Sequence, residues 1–394
     1  MATPKYFIWE YRTLVEVGAG CRTFAPERFT EMGCKRVGMI TDHGLVEAGV
    51  ANMVSDIFKI QGGLQLIDVY DRIQPDATMN VINDCARWYR ENALDGMLVV
   101  GGGSVMDSAK GVKYLLGTGG TCIQEPLADN VLFHFRPNAR PLNVPSIFIP
   151  TTAGTGSEVS TVAVIYNEET KLKTNLIHPY ISAEIALLDP ELTIGLSPYM
   201  TAATGLDALG HALEGLSSSQ TNFMADSLGI QAIKLIMQYL PIAVNDGKNM
   251  EARMVMLGAS NMAIMGFSMA GMVAPAHNIA HAVGAKLRIP HGEAVGVAIP
   301  SLMEHFPEYY LPIADKLADA FGVQGLDAGE IIAAAQAKIV DLMKKCSFKT
   351  GFSVALNEQE RKQILQAIKT DPSKSVYIPD YVLMNIINTC FPSE

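Results

Sequence analysis

The sequence predicts an α/β domain with a parallel sheet over residues 1–190, followed by an all-helical domain over residues 191–394. In the first half, short β-branched runs alternate with segments that place apolar residues three and four apart, which is typical of strands joined by crossover helices. After Pro190 these runs stop, and long helical patterns follow one another to the end of the chain. A chain of 394 residues can bury two separate cores.

The elements can be assigned in order along the chain. Five runs predict buried parallel strands: RVGMITD, LQLIDVY, GMLVVGGG, PSIFIPTT and EIALLD. The N-terminal run FIWEYRTLVEVGAG alternates well enough to predict one or two further strands, with Phe7, Trp9 and Tyr11 on one face. Such a run would form an exposed edge or pair with a partner subunit. The apolar segment MVMLGASNMAIMGFSMAGMVAPA is interrupted by Gly, Ser and Asn, so we expect a buried core helix.

Composition argues against several classes of function. The net charge is −10 and no cluster of Lys and Arg is present, so we expect no nucleic-acid partner. We also expect no signal peptide and no membrane-spanning segment, because no basic start precedes an apolar region and no 18 consecutive residues are apolar. The six cysteines lack CxxC spacing, which favours free thiols and a cytoplasmic location.

Two residue pairs and a further histidine predict a divalent metal site. Asp207 and His211 lie four apart in one helical pattern, as do His277 and His281 in another, so each pair shares a helix face. His291 follows in RIPHGEAVG. Three imidazoles and one carboxylate suit Fe(II) or Zn(II) better than Ca(II) or Mg(II). One histidine is then left over, which suggests catalysis, although either pair alone is more often structural.

A glycine-rich turn predicts a phosphate-binding site. The strand GMLVV leads into Gly101, Gly102, Gly103 and Ser104, and a helical pattern follows. A helix N-terminus behind such a turn offers free N–H groups and a positive dipole end to a pyrophosphate. Ser104 and Asp107 have the spacing of a capping box. The alternative is a tight turn with no ligand.

Two more features suit a dinucleotide. The loop PTTAGTGSE over residues 150–158 offers hydroxyls and bare backbone to a ribose or pyrophosphate, and is otherwise a polar loop. Asp42 directly follows the strand RVGMIT. A carboxylate at that position can accept hydrogen bonds from a ribose and repel a 2′-phosphate, although it could equally cap a helix.

Together these motifs resemble the iron-containing (group III) alcohol dehydrogenases. GGGSVMDSAK, PTTAGTGSE, LLDPEL, TGLDALGHALE, HNIAHAVG and PHG occur in the order and at roughly the spacing of that family. The resemblance implies a Rossmann-like domain, a helical domain, and an active site in the cleft between them. It implies a homodimer or a multiple of one, and NAD(H)-dependent interconversion of a small primary alcohol and its aldehyde.

The resemblance also implies a role for each site residue. The metal, Fe(II) or in some preparations Zn(II), would be held by Asp207, His211, His277 and His291. His281 would lie beside the substrate and the nicotinamide as the catalytic histidine. Asp42 would favour NAD over NADP, and Lys173 would reach the nicotinamide ribose. The remaining cofactor-binding residues would be Gly101, Gly102, Gly103, Ser104, Thr151, Thr152, Thr155 and Ser160.

Alternatives of two kinds remain open at the level of sequence. One is a zinc glycerol dehydrogenase or a lyase of the dehydroquinate synthase type on the same architecture, although those relatives lack the full ligand set at this spacing. The other is a protein that uses a metal only for stability. The segments CIQEPLADNVLFHFRPNARPLNVP and EAVGVAIPSLMEHF depart from the family pattern, so the substrate is not predicted.

Overall fold

The computed structural model describes residues 4–61, 64–127, 131–133, 138–372 and 374–392. By its internal contacts the chain divides into two compact units. The α/β unit comprises Tyr11–Thr152 and Gly156–Ile194. The helical unit comprises Gly195–Glu394 together with Ala153–Thr155 and the N-terminal segment that ends at Glu10. The predicted fold class, a parallel sheet followed by helices, is confirmed. The N-terminal segment, which the sequence analysis placed in the α/β domain, groups instead with the helical unit.

The α/β unit contains strands and helices in alternation. Its strands are β1 Leu14–Val17, β2 Arg36–Ile40, β3 Gln65–Tyr70, β4 Gly96–Gly101, β5 Val131–Phe133, β6 Ser146–Pro150, β7 Val162–Asn167, β8 Leu172–Ile177 and β9 Ile185–Leu188. Its helices are α1 Ala25–Glu31, α2 His43–Glu47, α3 Val50–Gln61, α4 Met79–Glu91 and α5 Gly103–Thr118. All five predicted parallel strands are present, as β2, β3, β4, β6 and β9.

The main sheet has six strands in the order β1-β9-β6-β4-β2-β3, and every pairing in it is parallel. Successive side chains of β4 alternate between two apolar cores. Met97 and Val99 pack with residues of α4 and α5, whereas Leu98 and Val100 pack with residues of α1 and α3. Because both faces of the sheet are covered, its strands are continuous apolar runs rather than alternating ones.

A second, smaller sheet was not predicted. It joins β5, β8 and β7, and β7 and β8 form an antiparallel hairpin. The strand sequences VAVIYN and LKTNLI mix polar with apolar residues, and the buried positions of β7 alternate with partly exposed ones. This hairpin carries Lys173.

The predicted N-terminal strands are mostly absent from this chain. Only β1 forms, at one edge of the main sheet, where it pairs with β9. Phe7, Trp9 and Tyr11 lie outside any strand, which corrects the prediction for that part of the run. The physical reason is that β9 is four residues long and offers a backbone ladder only to Leu14–Val17.

The helical unit contains nine α-helices within the described part of the chain. They are α6 Pro198–Ser217, α7 Phe223–Asn245, α8 Met250–Met269, α9 Pro275–Leu287, α10 His291–His305, α11 Ala314–Phe321, α12 Ala328–Lys345, α13 Glu358–Thr370 and α14 Asp380–Cys390. Helix α8 is the predicted core helix, and its buried residues include Met256, Ala259 and Ala263. Helix α7 is long and apolar enough to cross a membrane, but core helices of other proteins meet the same criteria of length and composition. The buried residues of α7 belong to the apolar core of the helical unit.

Candidate active site

Helix α6 presents three polar side chains on one buried face. Asp207, His211 and Glu214 are spaced by four and three residues, so they lie along one stripe of the helix. Ser197 is the N-cap of this helix, and its hydroxyl accepts a hydrogen bond from the N–H of Met200 at 3.2 Å. All three polar side chains are buried, which requires that each finds a partner or an ion.

Helices α9 and α10 bring three histidines to the same region of the helical unit. His277 and His281 occupy successive turns of α9, and His291 is the first residue of α10. The ring centroid of His291 lies 5.4 Å from that of His277 and 5.3 Å from that of His281. Gly292 permits this arrangement, because a Cβ atom there would overlap the carbonyl oxygen of Ala203 on α6.

The side chains of Asp207, His211 and His277 converge tightly enough to hold one ion. One ligand atom from each lies within 4.8 Å of the others. The Oδ1 atom of Asp207 is 3.4 Å from Nε2 of His277 and 3.5 Å from Nε2 of His291, so the fourth predicted ligand adjoins the same oxygen.

Three atoms in this cluster are buried and have no hydrogen-bond partner among the described residues: Oδ1 of Asp207, Nδ1 of His211 and Nε2 of His277. Unpaired buried polar atoms are costly, and a transition metal would satisfy all three at once. These residues therefore fit a divalent metal with nitrogen and oxygen ligands.

Glu214 completes the surroundings of His277 and was missed by the sequence analysis. Its carboxylate accepts a hydrogen bond from Nδ1 of His277 and also from the backbone N–H groups of Ala276 and His277. The hydrogen bond to Nδ1 leaves Nε2 of the ring available to a metal. The signal was present in the sequence, because Glu214 lies seven residues after Asp207 and so on the same face of α6.

The second glycine-rich loop packs closely against α6. The carbonyl of Gly154 accepts a hydrogen bond from the hydroxyl of Ser260 on α8 at 2.9 Å. A Cβ atom at Gly154 would lie 2.7 Å from the carbonyl oxygen of Thr204, so only glycine allows this approach to α6. This explains why Ala153–Thr155 group with the helical unit.

The charges in the cluster perturb each other strongly. Burial would lower the pKa of His277, but the flanking carboxylates of Glu214 and Asp207 outweigh it and raise that pKa to about 10. Burial, and then the neighbouring charge of His277, lower the pKa of His211 to about 3. Burial would raise the pKa of Asp207, but three imidazoles together hold it well below its usual range. Two buried carboxylates around one imidazole make a site that favours a positive charge.

His281 lies beside this cluster rather than within it. Its Nδ1 atom is 3.8 Å from Oδ1 of Asp371, which follows α13, and its ring packs against that of His291. His281 is buried, as its place one turn beyond His277 on α9 requires.

The first glycine-rich turn lies where β4 leads into α5. Gly101 ends the strand, and a Cβ atom there would lie 2.6 Å from side-chain atoms of Val105. Gly102 is the N-cap of α5 and provides no side-chain cap, so the predicted capping box of Ser104 and Asp107 is wrong. The first turn of α5 therefore offers its N–H groups without a side-chain cap, which suits a pyrophosphate.

The side chains of Ser104 and Asp107 form hydrogen bonds with neighbouring loops and strands instead of capping α5. The hydroxyl of Ser104 accepts from the N–H of Asp76 at 3.1 Å. The carboxylate of Asp107 accepts from the hydroxyl of Ser157 and from the N–H of Val164 at 2.9 Å. Asp107 thus anchors the second glycine-rich loop to α5.

Asp42 lies at the carboxyl end of β2, which neighbours β4 in the sheet. Parallel strands end at one edge, so Asp42 and Gly101 belong to the same edge. The side chain of Asp42 caps α2 by accepting from the N–H of Leu45 at 2.9 Å. Asp42 therefore does cap a helix, which was the alternative prediction. The cap uses only the Oδ1 atom of the carboxylate.

The remaining predicted cofactor residues lie in three different places. Thr151 and Thr152 directly follow β6, and the N–H of Thr151 donates to the carbonyl of Gly101 at 3.0 Å, so they adjoin the first turn. Thr155 belongs to the segment that groups with the helical unit. Ser160 is buried, and its hydroxyl accepts from Nζ of Lys110 at 2.8 Å.

Lys173 projects from β8 toward the first turn. Its ammonium pairs with the carboxylate of Asp76 at 3.0 Å, and Asp76 in turn bonds to Ser104. The structure therefore links Lys173 to the glycine-rich turn through one residue that the sequence analysis did not single out.

Two family models match the chain in succession. The model for iron-containing alcohol dehydrogenase matches residues 13–190, and the model for the C-terminal region of the Fe-containing alcohol dehydrogenase family matches residues 201–370. The chain belongs to the iron-containing alcohol dehydrogenase family. It is an NAD-dependent oxidoreductase that interconverts alcohols and aldehydes, and the buried Asp and His cluster and the glycine-rich turn are both consistent with that activity.

Relatives and solved structures of this family cover most of the chain. Choline dehydrogenase of Bacillus subtilis (strain 168) is 31% identical over 81% of this chain and 77% of its own length. The crystal structure of a 1,3-propanediol oxidoreductase is 27% identical, with a TM-score of 0.87 over 98% of this chain and 100% of that one. Sulfoacetaldehyde reductase from Bifidobacterium kashiwanohense, solved with NAD⁺, is 26% identical, with a TM-score of 0.84 over 99% of this chain and 100% of that one.

Proposed function

We propose that this iron-containing alcohol dehydrogenase acts on small primary alcohols and their aldehydes, with Asp207, His211, His277 and His291 as the ligands of an Fe(II) ion. The proposal rests on one carboxylate oxygen and two imidazole nitrogens that converge in the helical unit. These three atoms are buried and have no hydrogen-bond partner among the described residues. Three imidazoles and a carboxylate bind both Fe(II) and Zn(II), so the metal present depends on availability. When bound, the ion would supply Lewis-acid polarisation of the substrate oxygen.

The protein's own groups prepare this chemistry. The carboxylate of Glu214 fixes the orientation of the His277 ring. His281 lies beside the cluster and would take the hydroxyl proton of a bound alcohol. NAD, when bound, would supply the hydride acceptor, so that an alcohol and NAD give an aldehyde, NADH and a proton. Asp42 and the turn from Gly101 to Ser104 would hold the adenosine ribose and the pyrophosphate.

The three similar proteins support a primary alcohol as the reacting group. Choline, 1,3-propanediol and the reduced form of sulfoacetaldehyde each end in a CH₂OH group but differ at the other end, which is a quaternary ammonium, a hydroxyl or a sulfonate. The shared end is the part that must meet the metal and the nicotinamide. The other end therefore determines specificity within the family.

A substrate panel tests this proposal. Purified enzyme loaded with Fe(II) under anaerobic conditions is mixed with NAD and a series of primary alcohols, and with NADH and the matching aldehydes, including acidic ones. Absorbance of NADH should change with at least one primary pair and should change much more slowly with secondary alcohols of the same size. A clear preference for a secondary alcohol or for glycerol oxidised at its central carbon would contradict the proposal.

We also infer a cytoplasmic homodimer, or a multiple of one. The edge strand β1 exposes Leu14 and Val17, and the segment before it exposes Tyr6 and Ile8. Exposed apolar residues at a sheet edge promote aggregation unless another subunit covers them. Symmetric dimers are the commonest solution. Light scattering at micromolar concentration should give twice the chain mass or a multiple of that, and removal of the residues up to Glu10 should release monomers or cause aggregation. A monomeric mass for the intact protein would refute the inference.

A further inference from the structure

Asp76 lies in an unusual turn beside the first glycine-rich turn. Asp76 and the next residue, Ala77, have φ values of 74° and 50°. Residues other than glycine seldom adopt the left-handed region, and two in succession are rarer still. Such backbone strain persists only where the surroundings hold it, and it is concentrated at ligand-binding sites.

Three contacts hold this turn, and each comes from a different element. The N–H of Asp76 donates to the hydroxyl of Ser104 at the start of α5, at 3.1 Å. The carbonyl oxygens of Asp76 and Ala77 both accept from the N–H of Tyr166 on β7, at 3.2 Å. The carboxylate of Asp76 pairs with the ammonium of Lys173 at 3.0 Å, and Lys173 faces Tyr166 across the hairpin.

The ion pair between Lys173 and Asp76 is more buried than a typical surface ion pair. The side chains of Lys173 and Asp76 are 12% and 31% exposed, so solvent screens their attraction less than it screens that of freely exposed charges. The position also matters, because Asp76 is within hydrogen-bond distance of Ser104, where a pyrophosphate is expected. An uncompensated carboxylate there would repel the phosphates, and Lys173 neutralises it.

We propose that Asp76 is a positioning residue for the dinucleotide. It fixes the ammonium of Lys173 and ties the Ser104 turn to the β7–β8 hairpin, so that the lysine and the glycine-rich turn bind one cofactor together. The inference rests on the proposed function, because that function assigns Ser104 and Lys173 to NAD. It adds Asp76, which contacts both Ser104 and Lys173, and it predicts that substitutions of Asp76 and Lys173 have non-additive effects on NADH affinity.

The test is a double-mutant cycle on NADH affinity, measured by fluorescence titration of the metal-loaded enzyme. Asp76→Asn keeps the shape and tolerates a positive φ, so the turn should still fold. It should raise the Kd for NADH about fivefold and the KM for NAD in parallel, with little change in kcat. Lys173→Met should raise the Kd further, because it removes the side chain that contacts the cofactor. In the Lys173→Met background, Asp76→Asn should have a much smaller effect on the Kd than in wild type, because the lysine that Asp76 positions is then absent.

A matched control separates this role from general stabilisation. Asp56→Asn removes an exposed ion pair with Lys59 on α3 of the same unit, where the charged atoms are 2.6 Å apart, and should leave NADH affinity unchanged. Thermal unfolding of every variant reports on folding. If wild type binds NADH and Asp76→Asn binds it equally well, or if the two substitutions have additive effects, the inference is wrong while the proposed function stands. If wild type itself does not bind NADH, the proposed function is wrong and the inference is overturned with it.

Discussion

Glu214 accepts a hydrogen bond from Nδ1 of His277, and Nε2 of the same ring then lies 3.4 Å from Oδ1 of Asp207. The imidazole is thus held between two buried carboxylates that both come from α6. One carboxylate sets the tautomer and orientation of the ring, and the other lies beside the predicted ion. This relationship is what makes His277, rather than His281, the histidine of α9 that is suited to coordinate the metal.

Replacing Glu214 with Gln should weaken iron binding without unfolding the helical unit. The amide keeps the shape but loses the charge that raises the basicity of His277, and loss of such a partner typically lowers metal affinity 10-fold to 100-fold. Competition with a chromogenic chelator measures the change. Glu251→Gln is the control, because Glu251 is an exposed carboxylate on α8 that accepts a hydrogen bond from the hydroxyl of Tyr239 at 3.2 Å. Equal affinities for the Glu214 variant and wild type would show that this carboxylate does not support the ligand.

The two histidines of α9 should respond differently to substitution. His277→Ala should abolish stoichiometric metal binding, because it removes a ligand atom from the centre of the cluster. His281→Ala should retain the metal and slow turnover, because His281 lies beside the cluster and pairs with Asp371 instead. Metal analysis and NADH-coupled turnover on the same samples distinguish the two cases. Loss of metal from the His281 variant with retention in the His277 variant would reverse the assignment.

Much of this arrangement could be predicted from the sequence, since it depends on local spacing. Apolar runs gave the five parallel strands, and the interval of four residues gave the pairs Asp207 with His211 and His277 with His281. Contacts between distant segments could not be predicted in the same way. The close approach of Gly154 to Thr204 depends on how the loop after β6 packs on α6, which no local pattern encodes.

Elements that deviated from the prediction did so because a partner segment determined the outcome. The N-terminal run alternates like a strand along its whole length, yet only Leu14–Val17 find a paired backbone, because β9 begins at Ile185, opposite Leu14, and offers no strand to the residues before it. Ser104 has the spacing of a capping residue, but α5 already begins at Gly103, and the hydroxyl of Ser104 accepts a hydrogen bond from the N–H of Asp76 instead. Lys173 was placed by resemblance alone, because the β7–β8 hairpin that carries it mixes polar and apolar residues.

Asp42 should make the enzyme prefer NAD to NADP, because its carboxylate would meet a 2′-phosphate with like charge. Asp42→Gly should narrow the preference but also removes the cap on α2. Asp42→Ser is the sharper variant, since a serine hydroxyl can keep the cap while the charge is lost. The ratio of kcat/KM for NAD to that for NADP should fall in both variants. A wild-type enzyme that prefers NADP would show that Asp42 does not face the ribose.

Lys110 should make the stability of the α/β unit rise with pH. Its ammonium is fully buried, where it donates to the hydroxyls of Ser157 and Ser160, and burial lowers its pKa from 10.5 to about 8. The folded state therefore binds fewer protons than the unfolded chain between pH 8 and 10.5, and the free energy of unfolding increases with pH across that window. A shift of this size corresponds to about 3 kcal/mol.

Lys110→Met should remove this contribution, because methionine does not titrate. Urea unfolding of both proteins at several pH values between 8 and 10.5 provides the comparison. The difference in stability between wild type and variant should change with pH in that window and be constant below it. A difference that stays constant throughout would mean that Lys110 keeps an ordinary pKa in the folded protein.

A titration of metal-free enzyme with Fe(II) shows whether the ion at this site is required for turnover, when metal occupancy and NADH formation from a primary alcohol are measured on the same samples. We predict that activity rises in proportion to occupancy and saturates at one ion per chain, and that Asp207→Ala shows neither binding nor activity. Full activity without stoichiometric iron or zinc, or an Asp207→Ala variant that binds the ion and turns over normally, would show that a metal held by Asp207 is not needed for the reaction.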